Sequence, residues 1–152
     1  MSPNEFIKEL APGAVASMKE CGICASFTIA QAALESSWGR SKLSIDGCNL
    51  FGVKADKSWP GPTLDMQTGE HLNGKDVIVP ATWRKYPNWA ACIEDHAKFF
   101  FENPRYKLAL HLKADPVAFA KAIQTAKYCT DPHYSDKISS IIETHNLRRF
   151  DS

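Results

Sequence analysis

Apolar side chains recur every three to four positions along most of the chain, which is the spacing of amphipathic α-helices. The clearest example is CASFTIAQAALESSW, in which Phe27, Ala30, Leu34 and Trp38 form one apolar stripe and Gly39 is the expected C-cap. The same spacing predicts further helices in the segments SPNEFIKELAPGAVASMKECG, NWAACIEDHAKFFFEN, PRYKLALHLK, DPVAFAKAIQTAKY and YSDKISSIIETHNL. The pattern therefore predicts a mainly helical chain.

Residues typical of helix ends support two of these helices, and a proline interrupts one of them. Ser2 and Glu5 have the spacing of a capping box, and Asp115-Pro116 fits an N-cap followed by the first helical residue. Pro12 lies inside the first predicted helix, where its ring and its missing N–H predict a break or kink.

The middle of the chain does not follow the helical pattern. Residues 46–63 are rich in Gly, Pro, Asp and Asn and are predicted to form a loop. Asn73-Gly74 is a strong two-residue turn signal flanked by alternating apolar and polar positions, so we predict a β-hairpin with strands at about 64–72 and 76–84. The predicted fold class is therefore α+β, mainly α, with one hairpin inserted into a helical domain.

Composition limits the classes of protein to consider. A chain of 152 residues that is 44% hydrophobic and 23% charged is typical of one globular domain, which we assign to residues 1–152. The net charge of +1 without a clustered basic stripe argues against nucleic-acid binding. No apolar run approaches the roughly 20 residues of a membrane span, and MSPNEFIKEL does not resemble a secretory signal.

The five cysteines do not suggest a disulfide framework, because their number is odd. Cys21 and Cys24 form a C-x-x-C pair, but no second pair has zinc-like spacing. We interpret the cysteines as reduced, and we expect neither a metal nor a cofactor. His96, with no ligand cluster around it, is interpreted as a core or surface histidine.

Glu35 is the main candidate for chemistry, because it is a single carboxyl group in an otherwise uncharged helical segment. It shares a helix face with Thr28 and Gln31, at the edge of the apolar stripe and in the last predicted turn. Burial and the negative end of the helix dipole both disfavour the anion and raise a carboxyl pKa. Such a group is suited to donate a proton near neutral pH.

A second carboxylate, Glu70, lies beside the predicted hairpin turn. Glycosidases use two carboxyl groups, one of which stays protonated while the other is ionised. Side chains that can stack on a sugar or bind it by hydrogen bonds are also present: Trp38, Asn49, Phe51, Trp59, Trp83 and Tyr86. Trp38 fits a core position better than a sugar site, whereas Trp59, in a polar loop, fits a sugar site better than a core position. By itself, the spacing of the two acids is weak evidence for a glycosidase.

Four ordered segments add specificity: AQAALESSWGRS, NLFGVKA, WRKYPNWAACIEDHAKFF and YCTDPHYSDKI. Together they resemble the signature blocks of the glycoside hydrolase family 73 glucosaminidases, from about residue 24 to 147. The resemblance implies a lysozyme-like fold. It also implies cleavage of the β-1,4 bond between N-acetylglucosamine and N-acetylmuramic acid in bacterial peptidoglycan.

The resemblance also assigns site residues. The catalytic acid of the family falls on Glu35, and its second acid, in the hairpin strand, falls on Glu70. In the segment YCTDPHY, the family pattern points to Tyr134 as a catalytic-site residue and to Tyr128 as a substrate-binding one. Asp95 in EDH is a further candidate for the substrate site, with a structural role as its alternative. At Cys129 the family usually has alanine.

Other functions stay open at this point. The same cleft could bind glycan without cleaving it, and lytic transglycosylases or muramidases also carry helical Glu-Ser sequences. The second step is equally open, because Glu70 could act as the base of an inverting reaction or the acetamido group of the substrate could attack. We expect a monomer that acts as a phage or prophage endolysin, accumulating in the cytoplasm of the infected cell before it reaches the periplasm and cell wall.

Overall fold

The computed structural model describes residues 1–152 and contains six α-helices, one antiparallel hairpin and three short 3-10 segments. The helices are α1 (Pro3–Cys21), α2 (Ala25–Ser36), α3 (Lys42–Asp46), α4 (Trp89–Glu102), α5 (Pro116–Thr125) and α6 (Tyr134–Thr144). The strands are β1 (Thr63–Leu72) and β2 (Lys75–Arg84), and the 3-10 segments are Pro104–Tyr106, Ala109–Leu112 and Leu147–Phe150. The predicted mainly α fold class is confirmed.

Helix α2 forms the centre of the domain and contacts α1, α5 and α6. Its residues from Ala25 to Ala33 are all buried, so it has no solvent-facing side over that length. Its alanines allow the surrounding helices to approach closely. The carboxylate of Asp151 accepts hydrogen bonds from the backbone N and the Oγ of Ser26, at 2.8 and 2.6 Å. The Asp151 side chain thus caps the N-terminal end of this helix.

The end of α2 differs from the prediction. The helix ends at Ser36, and Ser37 rather than Gly39 is the C-cap, with a φ of 53°. Trp38 and Gly39 also have positive φ angles, of 60° and 77°. This succession of left-handed residues turns the chain sharply, directly after the turn that carries Glu35. Trp38 packs on Phe6 in the core, with ring centroids 5.8 Å apart.

Two other helices differ from the prediction: no break occurs at Pro12, and one predicted helix does not form. Helix α1 continues through Pro12 without interruption, because its buried face packs closely on α4: a Cβ at Gly13 would lie 3.3 Å from the Cβ of Ala90. The segment PRYKLALHLK forms two 3-10 segments instead of one helix. Its buried residues, Tyr106 and Ala109, are three positions apart, which suits a 3-10 turn.

The predicted hairpin is confirmed, with strands one residue longer than expected. Asn73 and Gly74 have φ angles of 52° and 76°, as a type I′ turn requires. The base of the hairpin is joined to the loop before it, because the backbone N–H of Arg84 donates to the carbonyl of Val53 at 3.1 Å. No helix of the structure combines the length and the apolar character needed to cross a membrane.

Candidate active site

Glu35 lies in the last turn of α2 and lines a cavity of about 370 Å³. The cavity is formed between α2, the loop that precedes the hairpin, α4 and the segment after α5. The residues that line it are Glu35, Phe51, Gly52, Val53, Lys54, Asp56, Arg84, His96, Phe99, Tyr128 and Cys129. A carboxyl group therefore shares one pocket with aromatic rings and with charged side chains.

The environment of Glu35 favours its protonated form. Burial raises the pKa of Glu35 to about 8, and the Tyr128 hydroxyl, which donates to Oε2 at 3.3 Å, acts weakly in the opposite direction. At neutral pH the folded protein therefore holds this carboxyl mostly as the acid. This is the property that the sequence predicted for a lone carboxyl group at the edge of an apolar stripe.

A chain of hydrogen bonds extends from Glu35 into the core. The hydroxyl of Tyr128 also lies 3.4 Å from Nε2 of His96, and that nitrogen lies 3.0 Å from Oε1 of Gln31. Gln31 donates through its Nε2 to the hydroxyl of Tyr134 at 2.9 Å. The aromatic groups around the acid are thereby fixed in place by buried polar contacts.

His96 is held neutral within this chain, because burial lowers its pKa to about 3. Since Gln31 uses its amide N–H₂ toward Tyr134, its Oε1 must accept, and the proton of the imidazole is therefore assigned to Nε2. Nδ1 of His96 is buried and has no hydrogen-bond partner. The ring stacks on Phe51, with centroids 3.9 Å apart.

The two tyrosines of the segment YCTDPHY occupy different positions. Tyr128 lines the cavity and contacts Glu35 directly. Tyr134 is buried behind it, at the first position of α6, and its ring centroid lies 5.6 Å from that of Tyr128. Of the two, the structure brings Tyr128 to the acid, whereas Tyr134 supports Gln31. A catalytic role for Tyr134 stays a prediction.

Glu70 lies on β1, opposite Val77, and does not line the Glu35 cavity. Its Oε1 is 2.8 Å from Nζ of Lys54, and Lys54 does line the cavity. The carboxylate is one-third exposed, so the hairpin presents it at the surface. The structure therefore connects Glu70 to the cavity through an exposed ion pair rather than through a shared pocket.

Asp95 holds the base of the hairpin against α4. Its Oδ2 accepts a hydrogen bond from Nη1 of Arg84 at 2.8 Å and another from the hydroxyl of Tyr86. Nη2 of Arg84 lies 3.5 Å from Asp56. These contacts make Asp95 and Tyr86 part of the support of the hairpin, outside the Glu35 cavity that Arg84 and Asp56 line. A substrate-binding role for Asp95 and Tyr86 stays a prediction.

Asn49 is buried and shapes the loop that forms one cavity wall. Its side-chain N–H₂ donates to the carbonyls of Val53 and Arg84, at 2.9 Å each, and its Oδ1 accepts from the backbone N of Val53. Asn49 therefore fixes the wall and does not itself line the cavity.

The predicted tryptophans also lie outside the cavity lining. The indole N–H of Trp59 donates to the carbonyl of Pro62 at 2.8 Å, and the Arg84 guanidinium lies 4.9 Å from its ring centroid. Trp83 is buried and donates to the carbonyl of Met66 at 2.9 Å. Of the predicted substrate-binding residues, Phe51 and Tyr128 are those that the structure places beside Glu35.

Several cavity residues were missed at the sequence level. Lys54 directly follows the NLFGV segment, and His96 and Phe99 lie three positions apart on α4, which places them on one helix face. This three-residue spacing is the sequence feature that could have identified His96 and Phe99 as neighbours.

No three His, Cys, Asp or Glu side chains converge as a metal site would require, and all five cysteines are unpaired.

A central buried helix with a buried glutamate in its last turn, beside a cleft and an inserted hairpin, is typical of a lysozyme-like glycoside hydrolase domain. The family model named Glucosaminidase, described as mannosyl-glycoprotein endo-beta-N-acetylglucosaminidase, matches residues 11–147. The chain belongs to this family, and the resemblance seen in the sequence is confirmed.

Curated relatives agree with this assignment. The peptidoglycan hydrolase FlgJ of Vibrio parahaemolyticus is 36% identical over 92% of this chain and 46% of the relative. The exo-glucosaminidase LytG of Bacillus subtilis is 38% identical over 96% of this chain and 52% of its own length. The chain thus spans about half the length of these relatives.

Solved structures show the same fold. The catalytic domain of the autolysin Auto from Listeria monocytogenes superposes with a TM-score of 0.89 at 33% identity, covering 98% of this chain and 87% of that one. A C-terminally truncated glycoside hydrolase domain of FlgJ from Salmonella typhimurium gives a TM-score of 0.79 at 34% identity, covering 95% and 98%.

Proposed function

We propose that this domain cleaves the β-1,4 bond between N-acetylglucosamine and N-acetylmuramic acid in bacterial peptidoglycan, with Glu35 as the general acid. The observation that carries the proposal is the Glu35 carboxyl that lines the cleft beside the Tyr128 hydroxyl, where burial raises its pKa to about 8. The names of the relatives support the substrate class, since FlgJ is a peptidoglycan hydrolase and LytG an exo-glucosaminidase.

In the proposed reaction, Glu35 donates its proton to the glycosidic oxygen as the bond to the departing sugar breaks. The resulting carboxylate accepts the hydrogen bond that Tyr128 already directs at Oε2. This hydrogen bond strengthens as negative charge develops, so Tyr128 stabilises the Glu35 carboxylate that proton transfer leaves. His96 and Gln31 keep Tyr128 in position.

The second group of the reaction is proposed to be Glu70. It acts as the base that activates water in an inverting mechanism, or it steadies attack by the acetamido group of the substrate. Because Glu70 does not line the Glu35 cavity, we expect the hairpin to bring it toward Glu35 in the complex, with the Lys54–Glu70 ion pair opening or moving with it. A two-stranded hairpin is marginally stable by itself, which allows such a movement.

The products distinguish this proposal from its alternatives. Digestion of purified peptidoglycan, reduction with borohydride and mass spectrometry identify the sugar at the new reducing end. N-acetylglucosamine at that end supports the proposal. N-acetylmuramic acid or its anhydro form would show a muramidase or a lytic transglycosylase, and intact glycan would show a binding module.

The biological role proposed for the domain is that of an endolysin, held in the cytoplasm of an infected bacterial cell as a monomer until it reaches the wall. The unpaired cysteines support this role, because they suit a reducing compartment. Lysis of permeabilised Gram-negative cells by added protein, with no lysis of intact cells, is the expected result. Lysis of intact cells would argue against the need for a separate route to the wall.

A further inference from the structure

A second cavity, of about 320 Å³, adjoins the cavity that contains Glu35. The two share Val53, Asp56, Arg84, His96 and Phe99 as lining residues, so they lie side by side. The second cavity is lined mainly by polar and charged side chains, since it adds Ser58, Asp95, Glu102, Asn103 and Pro104. The second cavity therefore places polar and charged groups directly beside the cavity of Glu35.

Phe99 lies where the two cavities meet and is 36% exposed, although it is a large apolar side chain. Its ring is parallel to that of His96, with an interplanar angle of 7° and centroids 5.7 Å apart. Its other aromatic neighbours, Phe100, Tyr106 and Tyr128, are inclined to it by 52° to 79°. No second ring therefore lies parallel to Phe99 on its other side.

The support beneath Phe99 is rigid and uncharged. His96 is neutral because of its burial, and it stacks in turn on Phe51 with an interplanar angle of 11°. Around the exposed ring, Arg84 and Asp56 provide charged hydrogen-bonding groups. A pyranose ring has one apolar face of C–H groups and a rim of hydroxyls, and this combination of an aromatic face with polar neighbours is complementary to it.

We propose that Phe99 is a stacking platform for a sugar ring of the glycan, placed at the junction of the two cavities. The strand then extends from Glu35 past Phe99 into the second cavity. This inference rests on the proposed function, because it takes the substrate to be a polysaccharide. It adds a substrate-binding residue on α4.

Binding should be measured in a protein that cannot cleave the ligand, so every variant is made in the Glu35→Gln background. The probe is a soluble glycan strand prepared from peptidoglycan by removal of its peptides, titrated by calorimetry. Phe99→Leu retains apolar bulk but lacks a planar face, and Phe99→Tyr retains the ring. Phe101 supplies the matched control, because it lies on the same helix, is 47% exposed and lines neither cavity.

We expect Phe99→Leu to weaken binding about 3- to 10-fold, as the loss of one aromatic contact would. Phe99→Tyr and Phe101→Leu should bind within about twofold of the parent, on the same scale of aromatic contact energies. In the active protein, Phe99→Leu should raise KM and leave kcat nearly unchanged. Thermal melting of each variant establishes that it is folded.

Equal binding by a folded Phe99→Leu variant and its parent would overturn the inference while leaving the proposed function intact. A parent protein that binds no glycan at all would instead contradict the proposed function. Weakening by Phe101→Leu as large as that by Phe99→Leu would show an unspecific surface effect and would also overturn the inference.

Discussion

Replacing Glu35 by glutamine should stabilise the domain at neutral pH, although it removes the proposed catalytic acid. In the folded state the pKa of Glu35 is raised from a reference of 4.5 to about 8 by burial. Between these values the folded protein holds a proton that the unfolded chain releases, so stability falls as pH rises through this window. Glutamine has a similar shape and no ionisable group, so the free energy of unfolding of the variant does not fall with pH in this way.

The size of the effect follows from the two pKa values. At pH 7 the solution pH lies about 2.5 units above the reference pKa, and each unit corresponds to about 1.4 kcal/mol, which gives an upper limit of about 3–4 kcal/mol. We expect a gain of about 2 kcal/mol, because the amide must satisfy its own hydrogen bonds in the site. For a domain of this size, 2 kcal/mol raises the Tm by about 4–8 °C.

The assay is thermal or urea unfolding of the parent and Glu35→Gln at several pH values from 4 to 8. The stability difference should be near zero at pH 4 and should increase toward pH 8. Glu9→Gln is the matched control, because Glu9 is exposed on α1, and it should show no such trend. A Glu35→Gln variant that is no more stable than its parent at pH 7 would refute the burial argument.

Three further predictions concern the same site. Tyr128→Phe removes the hydrogen bond that lowers the pKa of Glu35. The alkaline limb of the kcat/KM profile should therefore move to higher pH by up to about one unit, and the maximum of the profile should fall. The control variant Tyr106→Phe should leave the alkaline limb in place. Glu70→Gln should reduce turnover strongly, because Glu70 is the proposed second group of the reaction. It should change the Tm by little, because the ion pair of Glu70 with Lys54 is exposed. Normal turnover would show that Glu70 takes no part in the reaction, and a large fall in Tm would show that its role is structural. Activity should persist in EDTA, and full inhibition that one divalent ion reverses would overturn the metal-free mechanism.

The general fold and the candidate acid Glu35 could be predicted because short stretches of sequence indicate them. Glu35 stands out in an uncharged helical segment, and Asn73-Gly74 specifies its turn by backbone conformation alone. Predictions failed where tertiary packing outweighed local preference. Packing of α1 on α4 carries the helix through Pro12, and the pattern in PRYKLALHLK does not separate helical from 3-10 spacing.

The cavity lining was harder to predict than the acid. Aromatic residues were selected by type, and type alone does not tell a stacking platform from a core ring, as Trp83 shows. The chain of contacts from Glu35 through Tyr128, His96 and Gln31 joins residues up to 97 positions apart, and no local pattern records such pairing. His96 was interpreted as a core or surface histidine; the structure buries it, and its contact with the site was not foreseen.

The central claim is that the protonated Glu35 carboxyl donates the proton that cleaves the glycosidic bond. The most direct test is the turnover of purified peptidoglycan by Glu35→Gln, measured as release of reducing ends, in protein that circular dichroism shows to be folded. Loss of a general acid should lower the turnover by about 10²- to 10⁴-fold. Turnover above about one-tenth of the parent value would contradict the claim, since general acids contribute more than that.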